Sequence, residues 1–157
     1  MRVWRLARRA YPALDGKGAQ RTGGRWNSPG HPAVYTASRL SLAALELLVH
    51  LDPDTIPDDL TAFEIEVPES VAVEALNLDL RPPDWRSLPD HPACRSAGDE
   101  WLSSQRTAVL AVPSAIVPAE LNYLINPRHR DSKSIKAIGF ERFSLDPRLL
   151  RPGRSRR

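Results

Sequence analysis

Apolar and polar residues alternate or cluster over short distances in this chain, a pattern that predicts many short strands and few helices. Residues 61–67 alternate between the two classes, as a half-buried strand does. Residues 108–112 form a continuous apolar run, which is typical of a central strand covered on both faces. Further short extended elements are predicted at residues 3–6, 33–37, 71–76, 116–125 and 134–143, the last as a strand pair or as one strand with a bend at Gly139. The predicted fold class is therefore mixed α/β (α+β), in a single compact domain.

The clearest helix is predicted to begin after Ser38, a favourable N-cap, and to end near residue 51, before Asp52-Pro53. A second helix is predicted at residues 97–105. The first helix carries an almost unbroken apolar stretch with a single acid, Glu46. An ionised carboxylate in apolar surroundings costs on the order of several kcal/mol unless it is paired or faces water. Glu46 is therefore the first candidate functional residue.

Length and composition narrow the class of protein. The chain has 157 residues, 41% of them hydrophobic and 26% charged, which fits one globular domain, predicted at residues 1–150. No apolar run approaches the ~20 residues that cross a bilayer. The single cysteine, Cys94, excludes an intramolecular disulfide and indicates a reducing cytoplasm. Residues 151–157 contain four arginines and are predicted to be a disordered basic tail.

A glycine-rich turn and a tyrosine precede the predicted Glu46 helix. Arg25 follows Gly23-Gly24, and a guanidinium suits phosphate or carboxylate ligands. A structural salt bridge between Arg25 and Glu46 is the alternative. Tyr35 is either a ligand contact or a core tyrosine. Glu46 is either a catalytic acid or a buried acid whose hydrogen bonds are supplied by the protein. Together these residues favour a site for a cationic or phosphorylated ligand.

Ser114 directly follows the predicted strand at residues 108–112, where side chains often face a cleft. The chain has no Gly-x-Ser-x-Gly sequence, so a serine hydrolase is not indicated. Asn122 and Asn126 are interpreted as caps of turns and strand ends. The pair His91-x-x-Cys94 has metal-like spacing, but no second pair completes a zinc site, and no metal is expected.

Five linked motifs resemble the RES-domain family, whose name refers to its arginine, glutamate and serine. The resemblance runs from about Arg5 to Arg148. It implies an ADP-ribosyltransferase-like fold and a toxin of a bacterial type II toxin–antitoxin pair. It also implies an enzyme that consumes NAD⁺ as substrate and arrests growth, with no cofactor, and a hetero-oligomer with an Xre-like antitoxin that occludes the site. The motifs are Gly23-Gly24-Arg25-Trp26-Asn27, Pro32-Ala33-Val34-Tyr35-Thr36-Ala37, Ala43-Ala44-Leu45-Glu46, Val112-Pro113-Ser114 and Asn122-Tyr123-Leu124-Ile125-Asn126-Pro127.

Carried over by position, the family's four functional residues fall on Arg25, Tyr35, Glu46 and Ser114. The resemblance implies that Glu46 stabilises positive charge on the ribose as nicotinamide leaves. Arg25 is then expected to hold the NAD⁺ phosphates and Tyr35 to line the nicotinamide subsite. Ser114 is expected to bind the ligand or to fix Glu46. The match is weaker at residues 11–22 and 80–94.

Two alternatives stay open at this point. The acceptor of ADP-ribose is water or phosphate in a glycohydrolase or phosphorylase, and a cellular protein in a transferase. The arginine excess, with a net charge of +3, also suggests a non-enzymatic nucleic-acid-binding module. Against that module, only 6% of the residues are aromatic and no basic helix is predicted.

Overall fold

The computed structural model describes residues 1–51, 56–77, 83–88 and 90–150. Within these residues, one mixed sheet of seven strands carries three α-helices, which confirms the predicted α/β class. The helices are α1 (Lys17–Thr22), α2 (Leu40–Leu48) and α3 (Pro92–Ser104). The strands are β1 (Arg2–Arg8), β2 (Val34–Ala37), β3 (Leu60–Glu66), β4 (Val73–Ala75), β5 (Val109–Pro113), β6 (Leu121–Ile125) and β7 (Lys136–Arg142). The predicted basic tail at residues 151–157 lies outside the described residues.

The strands lie in the order β4-β5-β6-β2-β1-β3-β7. Neighbours are antiparallel except β4 and β5, which are parallel. Strand β1 pairs with β3 along its whole length but meets β2 only at Trp4 and Ala37. The sheet therefore consists of two halves joined at one narrow junction.

Helix α2 covers that junction. Its buried residues Leu42 and Ala43 form a small core with Ala37, and Trp4 and Leu6 pack against it from β1. The helix is more exposed toward its C-terminal end, where Leu45 is 38% and the C-cap residue Val49 is 59% accessible. This packing places Glu46 above the end of β2, where the two halves of the sheet meet.

Both faces of the central strands are covered, which explains their continuous apolar runs. Val34, Val109 and Ile125 belong to a core on one face. On the other face, Leu110 and Leu124 pack with a second core that includes Trp101 of α3. In the described part of the chain, every α-helix is too short to span a lipid bilayer.

Three predicted helix boundaries were wrong, and one of them is the end of α2, which lies at Leu48 rather than near residue 51. Helix α2 begins one residue later than a Ser38 cap requires, because the Ser38 backbone N–H is bonded to Leu121 and keeps the chain extended. Arg39 is the N-cap, and it makes no side-chain cap bond. Helix α3 begins at Pro92 rather than at residue 97, because proline is tolerated in the first turn and the His91 ring accepts a bond from the Ala93 N–H.

The predicted bend near Gly139 is confirmed. Gly139 is paired with Glu64, while Ala137 is paired with Ile65, so the register shifts between these two pairs. Residue 138 is the extra residue of an irregularity in β7, and the segment is one strand rather than a strand pair.

Candidate functional site

Glu46 is held by two neutral hydrogen-bond donors. The Ser114 hydroxyl donates to Glu46 Oε1 at 2.7 Å, and the Asn122 side-chain amide donates to the same oxygen at 2.5 Å. No residue in the described part of the chain donates to Oε2. Glu46, Ser114 and Asn122 are called the Glu46 cluster below. The two bonds thus stabilise the carboxylate without a cation that would neutralise its negative charge. The other oxygen, Oε2, is left for a ligand.

The Ser114 hydroxyl uses all of its hydrogen-bonding capacity within the protein. It is buried directly after β5, and its hydroxyl oxygen accepts bonds from the Ile116 and Val117 N–H groups at 3.1 and 3.0 Å. A hydroxyl has one proton and two lone pairs. The two lone pairs are used by the backbone and the proton by Glu46, so the geometry favours fixing Glu46 over direct ligand binding.

The interpretation of Asn122 as a cap was wrong, because its side chain donates to Glu46. The residue lies on β6, paired with Ala37 of β2 on one side and Val112 of β5 on the other. The two-residue period of a strand places Asn122 on the same face as the buried Leu124, where a polar side chain is unexpected. That period is the signal that could have identified it. Asn126, in contrast, is the predicted cap, since its side chain bonds Leu102 and the Arg128 N–H.

Tyr35 is bound into the turn that precedes it. Its hydroxyl accepts from the Trp26 N–H at 3.0 Å and donates to Asn27 Oδ1 at 2.8 Å. Burial raises the pKa of Tyr35 well above its usual value, so the hydroxyl stays protonated. A Cβ atom at Gly24 would lie 2.6 Å from that hydroxyl, which explains the glycine. Gly23, with a φ of 71°, supplies the left-handed turn before it.

Arg25 is bound to a different part of the chain from Glu46. Its Nη1 donates to the backbone oxygens of Trp85 and Ser87 at 2.6 and 3.3 Å, and its Nη2 lies 2.8 Å from Asp90 Oδ1. The alternative of a structural salt bridge with Glu46 is therefore wrong, because Asp90 is the carboxylate partner. Arg25 and these three partners are called the Arg25 cluster below. Only 14% of the Arg25 side chain is exposed. Its bonds connect the three partner residues to the Gly23-Gly24 turn.

The two clusters lie along one face of the sheet. Tyr35 and Ala37 are two residues apart on β2, so their side chains share a face and their Cα atoms are about 7 Å apart. Ala37 is paired with Asn122, which bonds Glu46. The Arg86 side chain donates to the Ala115 oxygen at 2.7 Å, which ties the Arg25 cluster to the loop that carries Ser114.

Two concavities lie elsewhere in the described structure. One, of about 260 Å³, is lined by residues that include His31, Gln105 and Arg128. The other, of about 330 Å³, is lined by residues that include Asp59 and Phe140. Neither is lined by the four residues that the sequence predicts as the site.

The family of the chain follows from its similarity to known protein families. The RES domain matches residues 2–146, which is nearly the whole chain. The protein belongs to the RES-domain family. The predicted family is thereby confirmed, and the four candidate residues all lie within the matched range.

Relatives of this RES-domain protein are similar over their full length. A protein of Sphingobium sp. (strain YBL2), named Prs ADP-ribosylating toxin, is 46% identical, with 94% of this chain and 96% of the relative covered. A protein of Yersinia enterocolitica, named Toxin Res, is 40% identical, with 95% and 99% covered. A Toxin Res of Photorhabdus laumondii is 38% identical, with 96% and 98% covered. This RES-domain protein is accordingly a toxin of that family.

A solved structure shows the same fold. The chain is similar to a structure described as the M. tuberculosis MbcT–MbcA toxin–antitoxin complex, with a TM-score of 0.71 and 21% sequence identity. The match covers 95% of this chain and 86% of that one. The fold of the RES domain in this chain is therefore that of the matched structure.

Proposed function

We propose that this RES-domain toxin is an enzyme that cleaves the nicotinamide–ribose bond of NAD⁺ and thereby arrests growth. NAD⁺ is its substrate, and no resident cofactor takes part. The observation that carries this proposal is the asymmetry at Glu46, where two donors hold Oε1 and no described residue occupies Oε2. A fixed carboxylate with an unoccupied oxygen suits a reaction that generates a cation beside it.

The chemistry requires little more than that charge. When the glycosidic bond breaks, its electron pair leaves with nicotinamide and positive charge develops on the ribose C1′ and ring oxygen. Nicotinamide departs as a neutral molecule, so no general acid is needed. Glu46 stabilises the oxocarbenium-like state through its charge and orients the ribose through Oε2. Ser114 fixes the carboxylate through Oε1.

Arg25 and Tyr35 complete the proposed substrate site. A guanidinium has five N–H groups in a fork that matches phosphate, and we assign Arg25 to the phosphates of NAD⁺. Phosphate binding there competes with Asp90 for the same guanidinium. Tyr35 lines the nicotinamide subsite with its ring, since its hydroxyl is used by Trp26 and Asn27.

The acceptor of ADP-ribose is either a small molecule or a protein. Water gives hydrolysis and inorganic phosphate gives phosphorolysis. The second candidate function is transfer to a cellular protein, and it is favoured by one observation. The Sphingobium relative, 46% identical over 154 residues, is named for ADP-ribosylation of Prs. Prs from the same host is therefore the first protein acceptor to test.

The test measures nicotinamide release, and the NAD⁺ carries a label in its adenine moiety so that ADP-ribose transferred to a protein is detected as well. The purified toxin is incubated with NAD⁺ alone, with added phosphate, and with purified Prs. Release with NAD⁺ alone supports hydrolysis, a rate that rises with phosphate supports phosphorolysis, and label on Prs supports transfer. Absence of release under all three conditions, from toxin that arrests growth, would contradict the proposal.

We also propose an Xre-like antitoxin as the partner and the cytoplasm as the location. The M. tuberculosis structure with the same fold is that of a toxin–antitoxin complex, which supports an antitoxin partner. The chain contains a single cysteine, Cys94, which fits a reducing compartment. The protein encoded by the gene next to the toxin gene, once purified, should form a stable hetero-oligomer with the toxin and suppress nicotinamide release. A mixture that elutes as separate proteins would contradict the partnership.

A further inference from the structure

We propose that Asn122 is a positioning residue for Glu46, which it holds so that Oε2 faces the substrate. The inference rests on the function proposed above, and it adds a residue outside the four that the family resemblance supplies. Its basis is the 2.5 Å bond from Asn122 Nδ2 to Glu46 Oε1. Asn122 acts on the reaction through Glu46.

The backbone of Asn122 is fixed on both sides. Strand β6 lies inside the sheet, and Asn122 is paired there with Ala37 and Val112. Glu46 comes from α2, which is 76 residues away in sequence. The bond therefore joins the rigid sheet to the helix that covers the junction of its two halves, and it determines where the carboxylate sits.

The orientation of the Asn122 amide follows from the chemistry of its partner. An ionised carboxylate only accepts, so the NH₂ group faces Glu46. Asn122 Oδ1 then points elsewhere, and it is buried with no partner among the described residues. An unpaired buried acceptor is unfavourable. If the residue at position 122 only filled the space between Val112 and Ala37, an apolar side chain would avoid the cost of the unpaired acceptor. Leu124, two residues further along β6, is such a side chain.

Two donors on one oxygen do more than either alone. Ser114 by itself restrains Oε1 from one direction only, so the carboxylate can still tilt about its Cγ–Cδ bond. A second donor from a different direction fixes the plane of the group. Because both donors are neutral, they orient Glu46 without cancelling the charge that the reaction needs.

The deciding variants are Asn122→Asp and Asn122→Ala. Aspartate has the same shape as asparagine, but it removes the donor and sets a second carboxylate against Glu46. Alanine removes the donor alone. We expect kcat for nicotinamide release to fall about 10-fold in Asn122→Ala, as for the loss of one charge-assisted bond, and further in Asn122→Asp. The KM for NAD⁺ should change little in either variant, because the substrate does not contact Asn122.

A space-filling role predicts the opposite ranking. The isosteric Asn122→Asp would then be the milder change, and a kcat of Asn122→Asp equal to or above that of Asn122→Ala overturns the inference. If Asn122→Asp does not fold, Asn122→Ala decides alone, and a wild-type kcat overturns the inference. The matched control is Asn126→Ala, because Asn126 is a buried asparagine directly after β6 that bonds Leu102 instead of Glu46. It should lower the melting temperature while kcat per folded molecule stays at the wild-type value.

Growth arrest separates failure of this inference from failure of the proposed function. Each variant is expressed at an equal level, checked by immunoblot, in cells without antitoxin. If the wild type arrests growth but releases no nicotinamide, the NAD⁺ proposal fails. Arrest that weakens in the order wild type, Asn122→Ala, Asn122→Asp still supports the positioning role. Equal arrest by all three proteins overturns it.

Discussion

Glu46 and Arg25, the two charged residues of the site, are held in opposite ways. The Glu46 cluster uses neutral donors on one oxygen and leaves the other oxygen without a protein partner in the described structure. The Arg25 cluster surrounds a guanidinium with two backbone oxygens and the carboxylate of Asp90. The Glu46 cluster leaves the negative charge of its carboxylate uncompensated, whereas in the Arg25 cluster Asp90 neutralises the positive charge of the guanidinium. Under the proposed function, the Glu46 cluster serves the chemistry, while the Arg25 cluster also maintains the fold.

The largest expected effect is that of Glu46→Gln on activity. Loss of one preorganised electrostatic group typically lowers a rate by ~10²–10³, and we expect that loss in nicotinamide release. Stability should change little, because a glutamine oxygen still accepts from Ser114 and Asn122. Turnover near the wild-type rate in a folded variant would show that the charge of Glu46 is not used.

Arg25→Ala should reduce stability as well as activity, which distinguishes it from Glu46→Gln. It removes the bonds to Trp85, Ser87 and Asp90, and losing a charged hydrogen-bonding group of this kind costs about 1.5–3 kcal/mol. Urea unfolding measures the change. The control is Arg106→Ala, whose exposed side chain bonds Glu74 and Glu100 and which should retain full activity. An unchanged free energy of unfolding for Arg25→Ala would remove the structural role.

Tyr35→Phe should have the smallest effect, confined to stability. It leaves the Trp26 N–H and Asn27 Oδ1 without their partner, at a cost of about 1–3 kcal/mol. Because burial raises the pKa of Tyr35 in the folded state, the stability that its protonated hydroxyl provides is complete below the unfolded pKa of about 10 and declines above it. The difference in unfolding free energy between wild type and Tyr35→Phe should therefore shrink as pH rises above about 10. A constant difference across that range would contradict the account of the hydroxyl.

The sequence predicts the parts of this site that depend on local pattern. The apolar helix with one acid, and the serine directly after a strand, are visible because each depends on neighbours in the chain. The partner of Arg25 was not predictable, since Asp90 lies in a proline-rich segment without periodicity. Asn122 reaches Glu46 only because β2, β5 and β6 pair side by side, and that long-range register is decided by tertiary packing.

The most direct test of the central claim is a crystal structure of the Glu46→Gln variant with NAD⁺ bound. The account predicts the nicotinamide ribose within hydrogen-bonding distance, ~2.6–3.2 Å, of the side chain at position 46. It also predicts that Ser114 and Asn122 keep their contacts to that side chain. NAD⁺ bound in the concavity beside His31 and Arg128, with its ribose out of reach of position 46, would contradict it.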